Sequence, residues 1–201
     1  KFGIRSTFFF RTFYEDGNVD DYENDIQTLQ KGNWEIGLHT DPQSVNDIEK
    51  IKLEKEKLES LTQKPIVGNR VHFLNYNLEL PKKLNELGFL YDSSLRHSKD
   101  RIDEKEMGFS KIDGVIEFPV TLMDAYLFTH MKIKEEQIIS EFQKALDIGR
   151  DISKENVISV IWHDNVLKMK GGRMYEKILE FLTSQDDVKI LPGKELVKIL
   201  E

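Results

Sequence analysis

Short β-rich apolar runs alternate along the chain with longer segments whose apolar residues recur at helical spacing. "IRSTFFF" (4–10) predicts a strand, and "DDYENDIQTLQKG" (20–32) predicts a helix with an acidic first turn and Gly32 at its end. "WEIGLH" (34–39) predicts the next strand. From Ser44 to Leu61 a long helix carries Val45, Ile48, Ile51, Leu58 and Leu61, while Lys50, Glu54 and Lys57 at neighbour spacing read as its solvated face. "IVGNRVHF" (66–73) predicts a strand, "NLELPKKLNELG" (77–88) a helix and "FLYDSS" (89–94) a short strand. The stretch from Arg96 to Asp113 has no period and is predicted as a long loop of the kind found over active sites. "GVIEFPVTLMDAYLF" (114–128) predicts one or two strands, the first ending at Pro119. A helix over 135–150, the strongly apolar strand "NVISVIWHDN" (156–165), a helix from Arg173 to Ser184, a strand "VKIL" (188–191) and a last helix "GKELVKIL" complete the pattern.

Repeated alternation of strand and helix implies an α/β fold with parallel strands and helical crossovers, as a barrel or an open doubly wound sheet. A length of 201 residues fits one domain spanning 1–201 and leaves little room for an eight-stranded barrel. In either architecture functional groups gather beyond the C-terminal strand ends. His39, His72 and His163 are predicted at such ends, where imidazoles from separate strands can converge on one metal or substrate. His97 and His130 fall in charged surroundings and are assigned to the surface. Asp41, Asp124 and Asp164 each follow an apolar run, and Asp124 is placed to fix the tautomer of His163.

Composition narrows the chemistry. A formal charge of −7 argues against a nucleic-acid backbone as partner, and no apolar run reaches the roughly 18 residues of a membrane span. Without cysteine there is neither a disulfide nor a thiolate ligand, so a metal must use His, Asp or Glu. "MKGGRM" (169–174) lacks the strand and the Lys-Ser/Thr of a P-loop, and no G-x-S-x-G elbow occurs. Metal-assisted attack by water is the best chemical fit. The chain opens on Lys1 and runs at once into a strand, which suggests trimming upstream, and the cellular compartment is left open.

Six segments in order resemble the polysaccharide deacetylase family, carbohydrate esterases that remove N- or O-acetyl groups from glycans. They are "STFFF", "EIGLHT", "GNRVHF", "LYDSS", "EFPVTLMD" and "VISVIWHDN", and together they cover most of the chain from Ile4 to Leu191. The resemblance implies a distorted (β/α) barrel of about seven strands with a divalent metal, usually zinc, at its mouth and an acylated glycan as substrate. It implies that His39 is a metal histidine, His163 the catalytic acid, Asp124 its acidic partner and Arg70 the arginine that holds the catalytic base. Three departures stand out. The family's Asp-Asp motif has no counterpart, so it lies upstream of Lys1 or is lost with the first βα unit. Gln43 stands where the second metal histidine belongs, and His72 replaces the proline of Arg-x-Pro. His72 is one substitute for the missing ligand and Asp41 a second. A relative that binds glycan without turnover is the alternative to a hydrolase.

Overall fold

The computed structural model describes residues 1–14, 17–153, 155–165 and 170–200, so Met169 of "MKGGRM" lies outside it. In chain order the elements are β1 (Thr7–Phe10), β2 (Phe13–Tyr14), β3 (Gly17–Asn18), α1 (Glu23–Lys31), β4 (Glu35–Thr40), α2 (Ile48–Thr62), β5 (Gly68–Val71), α3 (Leu80–Glu86) and β6 (Tyr91–Asp92). There follow β7 (Ser110–Ile112), β8 (Val115–Glu117), β9 (Val120–Met123), α4 (Ile138–Ile152), β10 (Ser159–Ile161), α5 (Lys170–Thr183) and α6 (Gly193–Leu200). They fall into two compact units.

The larger unit comprises Ile4–Ser94, Ser110–Glu117 and Ile190–Glu201. Its sheet runs β1-β4-β5-β6-β8-β7, parallel throughout except for β7, which returns antiparallel to β8. Strands covered on both faces need apolar residues at successive positions rather than alternate ones. Accordingly β4 is buried along its whole length apart from His39, which is half-buried. Ile26, Leu38, Ile51, Leu58, Val71 and Leu84 share one core with Phe89 and Val115. Tyr91 is buried in the same unit, and a Cβ added at either Gly68 or Gly193 would stand 2.2 Å from its ring. These two glycines make the slot that the ring occupies.

Asp47 starts α2 by accepting from the Glu49 and Lys50 N–H groups, so residues 44–47 form a turn ahead of the helix. Glu54 departs from the sequence reading. It is 5% exposed rather than solvated, because it shares the inward stripe of Ile51 and Leu58.

The smaller unit comprises Lys1–Gly3, Leu95–Phe109 and Phe118–Lys189. Here β9 and β10 pair in parallel, and Leu122, Leu127, Phe142, Ala145 and Ile178 build the core with α4 and α5. Its 95–109 segment is a loop nailed down from within. Arg96 pairs with the fully buried Glu106 and donates to the Val120 and Thr121 carbonyls, while Glu106 accepts from the His97 and Ser98 N–H groups.

Several expectations change. The 96–113 stretch is not loop throughout, since Ser110–Ile112 pairs with β8 across the turn at Asp113 and Gly114, both at positive φ. Tyr126–His130 winds into a π-helical turn instead of extending the strand. "VKIL" forms no strand, and only Ser159–Ile161 of the 156–165 run does. The α/β class with a parallel sheet holds, but the described strands form three separate sheets, none of them closed. Among the described residues no helix is long and apolar enough to cross a membrane.

Candidate functional site

In the larger unit β4 lies between β1 and β5, with His39 in register with Arg70. His39 Nδ1 stands 2.9 Å from the Arg70 carbonyl oxygen. A carbonyl only accepts, so Nδ1 carries the proton and Nε2 offers its lone pair. That lone pair faces His72 Nδ1 at 3.0 Å, with the rings perpendicular and their centroids 5.0 Å apart. His72 Nδ1–H is therefore the donor of this bond. Directly after it Phe73 and Leu74 take φ of 60° and 54°, a left-handed conformation rare for such residues, and Phe73 lies over the His72 ring at 3.9 Å between centroids.

Two nitrogens on one tetrahedral zinc stand about 3.3 Å apart, from bond lengths near 2.0–2.1 Å. The pair is thus within a few tenths of an ångström of metal-binding spacing. Binding would replace the N–H···N bond and move the His72 proton to Nε2. Two imidazoles fit two ligand positions. Among the described residues no group of three or more His, Asp or Glu is disposed around one ion.

Asp41 is drawn elsewhere. It forms a salt bridge with Arg11 and accepts from the Gln43 N–H at 2.9 Å. Burial pushes its carboxyl up, but the Gln43 N–H, the Arg11 guanidinium and nearby His72 outweigh that and hold it below the ordinary aspartate range. The Gln43 side chain is exposed.

Arg70 donates through Nε to the Ser93 carbonyl at 2.9 Å and through a terminal nitrogen to Ser93 Oγ at 2.7 Å, with its guanidinium 4.4 Å from the Phe9 ring. Burial lowers its pKa to about 10, so it stays charged at neutral pH. Beneath it is a group that sequence reading missed. Asp92 and Glu117 are register partners on β6 and β8, and both are fully buried. Two carboxyl groups buried side by side are more stable with one proton between them than with both ionised. Asp92 Oδ1 also accepts from Asn69 at 2.8 Å and Ser94 at 2.7 Å, and Thr40 donates to Asn69. The "YDSS" run marked the segment, but only the register of two strands shows that its aspartate meets the glutamate of "EFP".

Burial raises the Asp92 pKa above 3.8. A raised carboxyl contributes stability that is complete below its unfolded value and lost as pH rises through its folded one. Asp92→Asn keeps an acceptor for Asn69 and Ser94 and gives Glu117 a donor that does not titrate. The stability difference between variant and wild type should therefore move in the variant's favour as pH rises above 4. Urea midpoints from pH 4 to 8 measure it, and parallel curves would sink the shared proton.

In the smaller unit Asp124 directly follows β9, and His163 follows β10. Asp124 is fully buried and clamps His163 twice. Its Oδ2 accepts from the His163 N–H and its Oδ1 meets the ring Nδ1, each at 2.7 Å. The carboxylate thereby places a proton on Nδ1 and leaves Nε2 to exchange protons, with the ring 42% exposed. The five residues singled out thus form two groups, His39 with His72 and Arg70 in one unit and His163 with Asp124 in the other. His97, His130 and Asp164 are exposed.

Two cavities accompany the larger unit. One of about 390 Å³ is lined by Trp34, Pro65, Val67 and Pro192, at the strand ends opposite His39 and His72. The other, about 360 Å³, is lined by Asp41 and neighbours on the histidine side.

No protein-family model matches the chain, and no curated protein does so significantly. Solved structures do. A protein assigned as a polysaccharide deacetylase from Mycobacterium smegmatis superposes with a TM-score of 0.75 at 21% identity, over 98% of this chain and 72% of that one. Puue allantoinase gives 0.75 at 17% identity, over 98% and 67%. A protein assigned as a polysaccharide deacetylase from Pseudomonas aeruginosa PAO1 gives 0.68 at 18%, over 90% and 63%. At such identities the likeness is one of fold.

Proposed function

From the polysaccharide deacetylase-like fold of this chain, we propose that it is a metal-dependent hydrolase that removes an acetyl group from a carbohydrate. The observation that carries the reading is the Asp124–His163 pair, a half-exposed imidazole whose tautomer is fixed by a buried carboxylate. His39 Nε2 and His72 Nδ1 would hold a divalent ion, zinc by ligand type, with the Arg70 carbonyl fixing the His39 ring. Such an ion polarises an acyl carbonyl and acidifies bound water.

The chain's own residues supply the proton chemistry. As water adds to the acyl carbon and the C–N or C–O bond breaks, the departing nitrogen or oxygen needs a proton. Imidazolium His163 donates it from Nε2, and Asp124 stabilises the charged ring beforehand. Arg70 acts as a positioning residue, since its guanidinium ties β5 to Ser93.

The full chain incubated with zinc and N-acetylglucosamine oligomers should release acetate, and a chelator should stop it. No acetate release with zinc present, or turnover of allantoin in its place, would overturn the assignment. The second reading, a glycan-binding relative without turnover, is favoured by the two-donor metal set among the described residues. It is distinguished by oligosaccharide binding without acetate release.

A further inference from the structure

Parallel strands exchange evenly spaced, slanted hydrogen bonds, so the last rung made between β5 and β6 fixes where the next one should fall. The Ser93 N–H donates to the Asn69 carbonyl at 3.0 Å, beside the register pair of Asn69 and Asp92. The following rung would run from the Val71 N–H to the Ser93 carbonyl. That carbonyl instead accepts from Arg70 Nε at 2.9 Å, and the Val71 N–H donates to Ser94 Oγ at 2.8 Å. Val71 is fully buried, where an N–H without a partner is costly. A serine side chain thus stands in for the backbone bond at the point where the ladder stops.

Ser94 is itself held at both ends. It is fully buried, its hydroxyl donates to Asp92 Oδ1 at 2.7 Å, and its N–H donates to Glu117 Oε1 at 3.1 Å. A hydroxyl has one proton and two lone pairs. With the proton committed to Asp92, a lone pair is left facing the Val71 N–H. Asp92 Oδ1 also accepts from Asn69 Nδ2, and Asn69 Oδ1 accepts from Thr40. This buried polar layer crosses β4, β5, β6 and β8, and its members adjoin the histidine site in sequence. Thr40 follows His39, Asn69 precedes Arg70, and Ser94 follows the Ser93 that holds the Arg70 guanidinium.

Val71 is the residue before His72, and the chain leaves His72 through Phe73 and Leu74, both at positive φ. A left-handed pair persists only where its surroundings hold it, so the Val71 peptide is what ties His72 to the sheet. We propose that Ser94 is a positioning residue for His72: its hydroxyl, aimed by Asp92 and Glu117, fixes the Val71 peptide and so keeps His72 Nδ1 at 3.0 Å from His39 Nε2. The role rests on His39 and His72 as the metal pair, and it adds to them a residue that touches neither ring.

The test is nuclear magnetic resonance of the imidazole rings in the zinc-free full chain, followed by zinc titration. The His72 Nδ1–H should couple to His39 Nε2 across their hydrogen bond. Ser94→Ala should abolish that coupling and weaken zinc binding about 10- to 100-fold, the range for residues that orient ligands without touching the metal. Ser94→Thr, which keeps the hydroxyl, should restore both. Thr121→Ala controls for lost stability alone, because Thr121 in the smaller unit also accepts from a backbone N–H, that of Ser159 at 3.3 Å, and donates to the Glu106 carbonyl. It should leave both readouts unchanged. A measurement that needs no variant is hydrogen exchange in wild type, where the Val71 amide should be protected. A freely exchanging Val71 amide, a coupling that survives in Ser94→Ala, or one that Thr121→Ala removes as well, would overturn the proposal. So would a folded Ser94→Thr that lacks it. Coupling that depends on Ser94 in a chain whose two rings take up no zinc leaves the positioning role standing while the metal reading fails. Zinc held by both rings equally well in wild type and Ser94→Ala does the reverse.

Discussion

His163→Ala is expected to lower the rate of acetyl release about 10²- to 10⁴-fold, the usual contribution of a positioned general acid. The ring is half-exposed and not part of the core, so the variant should fold as wild type does. Asp124→Asn should come close to the same loss by a different route. The Asn amide can donate to the ring Nδ1 and then leaves the imidazole in the opposite tautomer, with the proton on Nε2. Because Asp124 Oδ1 also accepts from the Ala125 backbone N–H, an amide nitrogen placed there gives this variant a stability cost that His163→Ala does not carry. Acetate release against pH separates the two, since both should flatten the limb on which an imidazolium is required. A His163→Ala variant with undiminished turnover would remove the proton donor from the account.

The second large effect concerns the imidazole pair. His39→Ala should weaken zinc binding by at least about 100-fold, more than the 10- to 100-fold typical of residues one shell further out. His72→Ala should weaken it comparably, because with two donors among the described residues neither is dispensable. The bond between them makes a finer point. In the zinc-free protein His72 donates from Nδ1 to His39 Nε2, so zinc must displace that proton and transfer it to His72 Nε2. Nitrogen-15 shifts of the two rings should show His72 changing tautomer on zinc addition while His39 keeps its proton on Nδ1, held by the Arg70 carbonyl. Zinc uptake that leaves the His72 tautomer as it was would place the ion elsewhere. A further consequence is that zinc binding competes with protons and weakens as pH falls.

Much of this was legible in the pattern of residues. The apolar run of β4 with a histidine at its end, the turn after it and the helical stripe of α2 follow from local chemistry. So does the nearness of an aspartate after one strand to a histidine after its parallel neighbour, once the two strands pair. What was not legible depends on register and burial. Glu54 looks like one charge among many until its place between Ile51 and Leu58 is followed inward. Asp92 and Glu117 are 25 residues apart, and only pairing of β6 with β8 joins them. "VKIL" has strand composition but finds no partner strand, whereas "SKI" gains one from the tight turn before β8. The barrel implied by the family resemblance also depends on long-range pairing, which periodicity does not encode, and the described strands leave three open sheets.

The most direct measurement is anomalous diffraction at the zinc edge from crystals of the full chain grown with the metal. One strong peak is expected, bonded to both His39 Nε2 and His72 Nδ1, the two nitrogens having opened from their hydrogen-bond spacing. A peak bonded to neither ring, or no peak under conditions where acetate is released, would contradict it.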